Sequence, residues 1–258
     1  MAPTHHRADP WIRHVGPPPA DPSARLLCFP HAGGAATAYF PLAAELGGDV
    51  DLLAVQYPGR QDRYGEPAID TVEGLADRIR PQLAAWSDRP LVLFGHSMGA
   101  IVAYEVLRWM TSAPGAGPLG LIVSGRRAPG VAWPDAVHRG GDEALIAELR
   151  ALSGTSSVVL DNPEMLEMIL PALRADYHAI ETYRHRPGPE LTIPVTALVG
   201  EEDPKAPVAD VKGWEQHTSG AFELRTFPGG HFYLNDRWPA VAGAIRTALA
   251  AFGGAAGR

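Results

Sequence analysis

The sequence predicts an α/β fold in which one mostly parallel sheet carries helices on both faces. Six short apolar runs have the composition of buried strands, and segments with helical periodicity separate most of them. This alternation is typical of strand–helix–strand crossovers, which build parallel sheets. With 258 residues, of which 46% are hydrophobic and 20% charged, the chain has the size of one domain of this class.

The apolar patterns place the individual elements. The predicted strands are 25–29, 51–56, 91–95, 120–124, 194–199 and 222–227. The predicted helices outside the longest connection are 37–46, 71–86, 98–110, 207–216 and 236–252. Residues 1–22 are rich in Pro and His and have no periodicity, so we expect an extended arm, held by Trp11 and Ile12, ahead of a single domain over 23–258.

A long insertion follows the strand at 120–124. About 70 residues separate this strand from the next, more than an ordinary crossover needs. The insertion contains helical patterns at 142–152 and 163–183, and the second has one apolar face. Two interpretations stay open: extra helices packed as core, or a lid over about 128–190 whose apolar face covers a pocket. Pro171 lies inside the second pattern and favours a kink or break that would let a lid move.

A Gly-x-Ser-x-Gly motif, Gly95-His96-Ser97-Met98-Gly99, joins the third predicted strand to the helix that follows it. At such a junction the motif forms a strained turn that presents the Ser Oγ above the sheet, and the glycines avoid collisions with the neighbouring strand and helix. We therefore predict that Ser97 is the nucleophile of an α/β-hydrolase fold. The alternative is that Ser97 only caps the helix.

A serine nucleophile needs a base and a carboxylate that orients it, and in this fold the acid and then the His follow the Ser along the chain. The segment "GEEDP" after the fifth predicted strand places Asp203 beyond the sheet, with Glu201 and Glu202 as competitors. The segment "PGGHF" after the sixth strand holds His231 in a Gly turn. The predicted triad is Ser97, Asp203 and His231.

Acyl transfer also requires two donors for the oxyanion that forms on the carbonyl. One is expected to be the backbone N–H of Met98, the residue after the nucleophile. The second is expected from Ala32 in the loop "FPHAGGAA" after the first predicted strand, where Gly33 and Gly34 permit a close backbone approach. For this loop alone, an ordinary Gly-containing turn is the alternative.

Six segments, in order along the chain, resemble one family: the stand-alone type II thioesterases that accompany modular polyketide synthases and non-ribosomal peptide synthetases. They are "FPHAGG", "VQYPGRQDR", "FGHSMGA", "RADYHAIETY", "PVTALVGEEDP" and "FPGGHFYL". The resemblance runs from about Trp11 to the last helix. It implies the same triad and the same two oxyanion donors as the spacing of the motifs.

The resemblance also implies a substrate and a role. The substrate would be an acyl group in thioester linkage to the phosphopantetheine arm of an acyl or peptidyl carrier protein, and the role would be editing of aberrant or stalled acyl units. No metal or redox cofactor is expected, because phosphopantetheine belongs to the substrate. The absence of an attached synthase module favours this role over product release, as does "SGRRAPG" after the fourth strand, which lacks the acid that releasing domains often carry there. A small-ester carboxylesterase and a non-catalytic binding protein of the same fold are the alternatives.

The remaining candidate residues concern the acyl chain and the carrier protein. Flexible Met side chains would suit a permissive acyl chamber, although core packing explains the same residues; the candidates are Met165, Met168 and Leu173. Carrier proteins of this family are usually acidic, so docking is expected to use basic side chains at the sheet edge near Ser97. The docking candidates, which could also be ordinary solvated arginines, are Arg126, Arg127, Arg60 and Arg63.

Charge and composition argue against several other classes of protein. The formal net charge of −7 provides no overall basic field for nucleic acid or an anionic membrane. Cys28, the single cysteine, lies in an apolar run and is expected to be buried rather than reactive. Because the sequence shows no signal-peptide pattern and no uninterrupted apolar stretch of about 18 residues, we expect a cytoplasmic protein, and we expect a monomer.

Overall fold

The computed structural model describes residues 11–110, 117–131, 136–152, 154 and 157–256. These residues form one seven-stranded sheet with the strand order β1-β3-β2-β4-β5-β6-β7. The strands are β1 (Ile12–His14), β2 (Ala24–Phe29), β3 (Val50–Val55), β4 (Leu91–His96), β5 (Gly120–Ser124), β6 (Val195–Gly200) and β7 (Phe222–Phe227). Strands β2 to β7 pair in parallel, so the predicted α/β fold with a mostly parallel sheet is confirmed.

Strand β1 is the one strand of the sheet that the sequence analysis did not predict. It pairs antiparallel with β3 and places Ile12 opposite Val55. Trp11 and Ile12 are both buried and belong to the hydrophobic core. A strand of three residues is too short to show the alternation of apolar and polar residues by which strands are recognised. Residues 1–10 of the predicted arm lie outside the described residues.

Helices cover both faces of the sheet because successive strand residues point to opposite sides. In β4, Leu93 packs in a cluster with residues of α2 and α3, whereas Val92 packs in a second cluster with residues of α1 and α8. The helices are α1 (Phe40–Leu46), α2 (Val72–Ile79), α3 (Met98–Met110), α4 (Gly141–Leu152), α5 (Ser157–Leu160), α6 (Pro163–Thr182), α7 (Val208–Lys212) and α8 (Leu234–Ala256). Within the described part of the chain, no helix combines the length and apolarity needed to cross a membrane.

Three predicted helices are shorter as α-helix than the sequence pattern suggested. The helix predicted over 37–46 begins with 3₁₀ turns at Ala36–Tyr39 and is α-helical over Phe40–Leu46. The helix predicted over 71–86 is α-helical only to Ile79 and continues as 3₁₀ turns from Arg80 to Trp86. Pro81 lies at the start of these turns and has no N–H for an α-helical bond. The helix predicted over 207–216 is α-helical from Val208 to Lys212 and continues as 3₁₀ turns from Gly213 to His217.

Helices α4 to α6, here called the lid segment, lie between β5 and β6 in the chain. They share a hydrophobic cluster of their own, formed by Leu145, Leu149, Leu160, Leu170, Leu173 and Tyr177. The break expected at Pro171 is absent, since α6 runs as one helix from Pro163 to Thr182. Leu170 and Leu173, on either side of the proline, pack into the same cluster, and this packing keeps the two halves of α6 continuous.

Candidate active site

Ser97 stands at the turn between β4 and α3 with φ at +54°, a backbone conformation that non-glycine residues rarely adopt. The flanking glycines make this turn possible. A Cβ on Gly95 would lie 2.3 Å from the carbonyl oxygen of Gly99, and a Cβ on Gly99 would lie 2.0 Å from the carbonyl oxygen of Phe29. Any larger residue at either position would therefore push the serine out of place.

Three side chains from separate loops meet at this turn. The Ser97 Oγ lies 2.9 Å from His231 Nε2, and His231 Nδ1 lies 2.9 Å from Asp203 Oδ2. Asp203 follows β6 and also accepts backbone N–H bonds from Lys205 and Ala206, at 2.8 and 3.1 Å. The structure thus brings together the three predicted residues in the arrangement of a nucleophile, its base and an orienting carboxylate.

The competing acidic residues do not reach the histidine. Glu201 and Glu202 are exposed, and the Glu201 carboxylate accepts a hydrogen bond from the Thr226 hydroxyl at 3.0 Å. The reason lies in the turn after β6, where the N–H of Glu202 bonds to the carbonyl of Gly229 at 3.0 Å. This backbone pairing joins the acid loop to the Gly turn before His231, and of the three carboxylates only Asp203 is directed inward.

Two further imidazoles surround His231. The ring of His96 lies 5.2 Å from the His231 ring, and the ring of His31 lies 5.9 Å from that of His96. Burial, and then the neighbouring charge of His231 and of Arg60, lower the pKa of His31 to about 3. Burial, and then the nearby His231 and His31, hold the pKa of His96 well below its ordinary range. At neutral pH both rings are therefore uncharged, and neither can compete with His231 for the Ser97 proton.

His96 also begins a buried polar chain behind the triad. Its Nδ1 lies 2.9 Å from the Ser124 hydroxyl, which lies 2.7 Å from the Tyr233 hydroxyl. All three residues are buried, and burial is the main cause of the raised pKa of Tyr233. These hydrogen bonds pair the His96 Nδ1 atom and the hydroxyls of Ser124 and Tyr233 without adding a charge next to His231.

The loop after β2 shows which backbone N–H groups remain for the oxyanion. The N–H of Gly33 donates to the Asp176 carboxylate at 2.7 Å, and the N–H of Gly34 donates to the carbonyl of His31 at 2.9 Å. These two groups are engaged, which supports Ala32 as the donor of this loop. Ala32 lines the same cavity as Ser97, and Met98 is the first residue of α3, where a backbone N–H has no acceptor within the helix.

A cavity of about 330 Å³ opens beside Ser97 and His231. The lid segment contributes its apolar lining, together with Phe232 from the turn after β7; the lid residues are Leu149, Leu152, Val159, Ile169, Leu173 and Tyr177. Leu173 therefore has the predicted position. Met165 and Met168 do not line the cavity, because they lie on the outer face of α6 with 40% and 54% of their surfaces exposed.

The four candidate docking arginines are not an exposed patch. Arg60, Arg63, Arg126 and Arg127 are all less than 10% exposed. Arg60 pairs with the buried Asp176, Arg63 with Glu66 and Arg127 with Asp210. The expectation of a basic docking surface at these positions is therefore wrong, because loops and the lid segment cover this edge of the sheet. Arg126 and Arg127 instead line a second cavity, of about 310 Å³, beneath the end of α6.

The sequence analysis missed several residues of the site. Asp176 was hidden in the apolar pattern of α6, although a carboxylate on the buried face of a helix signals a buried partner. His31 and Phe232 belong to the quoted motifs but received no role, and their rings pack 4.8 Å apart at the cavity wall. Ser124 and Tyr233 carry no sequence signal, since a single Ser at the end of a strand or a single Tyr in the turn before a helix is common.

Comparison with known proteins assigns this arrangement to a family. The model of the thioesterase domain family matches residues 24–249. The chain belongs to the thioesterase family. Among curated proteins, this thioesterase is 50% identical over 236 residues to thioesterase PikA5 of Streptomyces venezuelae, covering 91% of this chain and 84% of that protein.

Solved structures agree with this assignment. The type II thioesterase BorB from the borrelidin biosynthetic cluster superposes with a TM-score of 0.86 at 46% identity, covering 94% of this chain and 98% of BorB. YbtT, the type II thioesterase of the yersiniabactin pathway, superposes with a TM-score of 0.83 at 32% identity, covering 91% and 96%. The predicted α/β-hydrolase fold and the predicted family are confirmed, and the protein is a thioesterase with the side-chain arrangement of a serine hydrolase.

Proposed function

We propose that this thioesterase edits an assembly line, hydrolysing acyl groups from the phosphopantetheine arm of acyl or peptidyl carrier proteins. The observation that carries the proposal is the contact between Ser97 and His231 at the mouth of an apolar cavity. The similarity to BorB and YbtT, type II thioesterases of biosynthetic pathways, supports the choice of substrate. A carrier protein is accordingly the expected partner.

The first half of the reaction forms an acyl-enzyme. As the Ser97 Oγ attacks the thioester carbonyl, its proton passes to His231 Nε2, 2.9 Å away. Asp203 holds the ring so that Nδ1–H faces the carboxylate and stabilises the imidazolium that forms. The negative charge on the former carbonyl oxygen is met by the N–H groups of Met98 and Ala32. When the tetrahedral intermediate collapses, the C–S bond breaks and His231 protonates the leaving pantetheine thiolate.

The second half releases the acid and restores the enzyme. A water molecule loses a proton to His231 Nε2 as it attacks the acyl-Ser97 ester, again through an oxyanion at the same two N–H groups. The C–O bond to Ser97 then breaks, and His231 returns the proton to the Ser97 oxygen. All proton transfers run through the triad, and the phosphopantetheine arm arrives with the substrate, so we propose that no resident cofactor takes part.

The cavity suggests which acyl groups the enzyme accepts. Its walls are mostly leucine, isoleucine, valine and aromatic side chains, and its volume is about 330 Å³. An apolar acyl chain of short to medium length fills such a space and loses its contact with water, whereas a charged group would be buried there without a partner. We propose that apolar acyl units are the preferred substrates.

The proposal is tested by presenting one acyl group in three forms. The octanoyl group would be loaded on a carrier protein, on N-acetylcysteamine and on a simple alcohol, and kcat/KM measured for each. We expect the carrier thioester to be hydrolysed most efficiently and the oxygen ester least. Ser97→Ala, the control, should hydrolyse none of them. Efficient hydrolysis of the oxygen ester without hydrolysis of the carrier thioester would identify a carboxylesterase instead.

The expected monomeric state, cytoplasmic location and lack of nucleic acid or membrane partners stay predictions.

A further inference from the structure

A buried ion pair connects the lid segment to the loop that follows β3. The Arg60 guanidinium donates to both carboxylate oxygens of Asp176, at 2.7 and 2.9 Å. Asp176 on α6 is fully buried and Arg60 is 8% exposed, so neither charge is screened by water. The two residues are far apart in the sequence, and the pair exists only when α6 lies over the sheet edge.

Both members of this pair also bind the backbone of a second loop, residues 31–34, which follows β2. The Asp176 carboxylate accepts the N–H of Gly33 at 2.7 Å, while the Arg60 guanidinium donates to the carbonyl of Gly34 at 3.0 Å. Side chains therefore hold the peptide group between Ala32 and Gly33 and the peptide group after Gly34. The N–H of Gly34 also donates to the His31 carbonyl and closes the turn between them. These bonds fix the orientation of the peptide groups next to the proposed oxyanion donor.

The loop lies directly against α6. Gly33 has φ at +77°, and a Cβ at this position would lie 2.8 Å from the Leu173 side chain, one turn before Asp176 on the same helix. The left-handed conformation of Gly33 thus lets its N–H face α6 while the preceding peptide stays at the cavity beside Ser97. If α6 moved away, the loop would lose the acceptor that holds this conformation.

The positive charge of Arg60 is needed beside the negative charge of Asp176, because the pair lies near the site where the oxyanion forms. A lone buried carboxylate close to the oxyanion would oppose the negative charge that develops there. The two hydrogen bonds from Arg60 compensate this charge, so Asp176 can orient the loop without an electrostatic penalty to the transition state. Conversely, removal of either partner leaves the other charge buried and unbalanced.

We propose that Asp176 and Arg60 are positioning residues for the oxyanion site: they hold the loop 31–34 so that the Ala32 N–H faces the reacting carbonyl, and they do so only when α6 is seated. The proposal rests on the acyl-enzyme mechanism given above. It makes the lid segment a part of the machinery that stabilises the transition state, in addition to its role as a wall of the acyl cavity.

Asp176→Asn is the first test, measured with octanoyl-N-acetylcysteamine so that the result does not depend on a carrier protein. We expect kcat to fall by about 10- to 100-fold. Complete loss of one oxyanion donor lowers kcat by about 100- to 1000-fold, and a displaced donor should lose part of that contribution. Ground-state binding should change little: in a Ser97→Ala background, the Kd of the same thioester should stay within about threefold with and without Asp176→Asn.

An octyl trifluoromethyl ketone supplies the readout that distinguishes positioning from simple stability. Its hemiketal with Ser97 places an oxyanion where the transition state has one, so its affinity reports on the donors directly. We expect Asp176→Asn to weaken the ketone by the same factor as kcat/KM. The matched control is Asp142→Asn. Asp142 on α4 accepts a hydrogen bond of 2.6 Å from Arg174 on α6. This exposed bond also joins α4 to α6, but it does not involve the loop 31–34.

The proposal is overturned if Asp176→Asn behaves as Asp142→Asn does, with kcat and ketone affinity both within about twofold of the unmodified enzyme. If Asp176→Asn does not fold, Arg60→Lys decides the matter, since lysine keeps the charge but cannot form the two-pronged bond. We expect parallel losses of at least about fivefold in kcat and ketone affinity for Arg60→Lys, and unchanged values would overturn the proposal. Failure of the carrier-protein assay alone would count against the proposed function and not against this inference.

Discussion

The Nδ1 atom of His231 lies 2.9 Å from Asp203 Oδ2, and each residue is 4% exposed. This bond turns the other ring nitrogen toward Ser97, so the base can take the hydroxyl proton without reorienting. The acid, the base and the nucleophile come from the carboxyl ends of three parallel strands, and the sheet itself keeps them in register.

Ser97→Ala removes the nucleophile and should abolish thioester hydrolysis, by at least about a thousandfold in kcat. The fold should survive because alanine only deletes a hydroxyl at the turn. Hydrolysis of octanoyl-N-acetylcysteamine and the thermal unfolding midpoint check the two halves of the prediction. Turnover near the original level would show that another residue attacks the substrate.

Asp203→Asn should reduce kcat by about three to four orders of magnitude, because the amide stabilises the wrong tautomer of His231 and cannot stabilise its cation. Glu201→Gln and Glu202→Gln are matched controls, since both carboxylates are neighbours in sequence but exposed. We expect these variants to stay within about threefold of the original kcat. Equal losses in all three variants would place the acid elsewhere.

Gly33→Ala should impair hydrolysis without abolishing folding. The added methyl group would meet Leu173 at 2.8 Å and would strain a backbone with φ at +77°, so the loop must move away from α6. We expect a loss of at least about tenfold in kcat in the same assay. Gly48→Ala is the control, because no heavy atom lies within 4 Å of its added Cβ, and it should leave kcat unchanged.

Leu173→Phe should shorten the acyl chain that the enzyme prefers, because the larger ring fills part of the cavity beside Ser97. Rates across N-acetylcysteamine thioesters from acetyl to dodecanoyl would reveal the shift. Met168→Phe makes a comparable change on the exposed outer face of α6 and should leave the preference as it was. A shift with Met168→Phe and none with Leu173→Phe would contradict the assignment of the cavity.

The imidazoles of His31 and His96 predict a dependence of stability on pH. His31 and His96 stay neutral in the folded protein well below the ordinary histidine pKa of about 6.5, mainly because they are buried. The unfolded chain therefore binds more protons, and the free energy of unfolding should fall as the pH drops below about 6.5 toward 3. Urea unfolding between about pH 7 and 5 measures this slope. In His96→Asn the slope should be shallower, and an identical slope would refute the assignment.

Much of the fold followed from the sequence because its signals are local. Each of the six predicted strands is found within one residue at either end, since buried parallel strands are continuous apolar runs. The motif around Ser97 was equally clear, because a nucleophile turn needs its glycines at fixed spacing. Strand β1 was missed for lack of length, and its existence depends on pairing with β3 rather than on its own sequence.

The parts of the site that escaped prediction are those that depend on distant contacts. Arg60 and Asp176 stand 116 residues apart, and no local pattern relates them. The exposed position of Met168 could not be foreseen either, since periodicity defines an apolar stripe on α6 but not which neighbouring residues lie at its rim. The docking arginines were misjudged because the sequence shows that an arginine follows a strand, but not that loops and the lid segment cover its side chain.

The most direct test of the mechanism is mass spectrometry of the enzyme, quenched within milliseconds of mixing with an octanoyl carrier protein in single turnover. The account predicts a transient enzyme species heavier by one octanoyl group, located on the peptide that contains Ser97. Its formation should match the release of carrier thiol, and its decay should match the appearance of octanoic acid. Release of octanoic acid with no acyl group on Ser97 at any time, or an acyl group carried by another residue, would contradict the account.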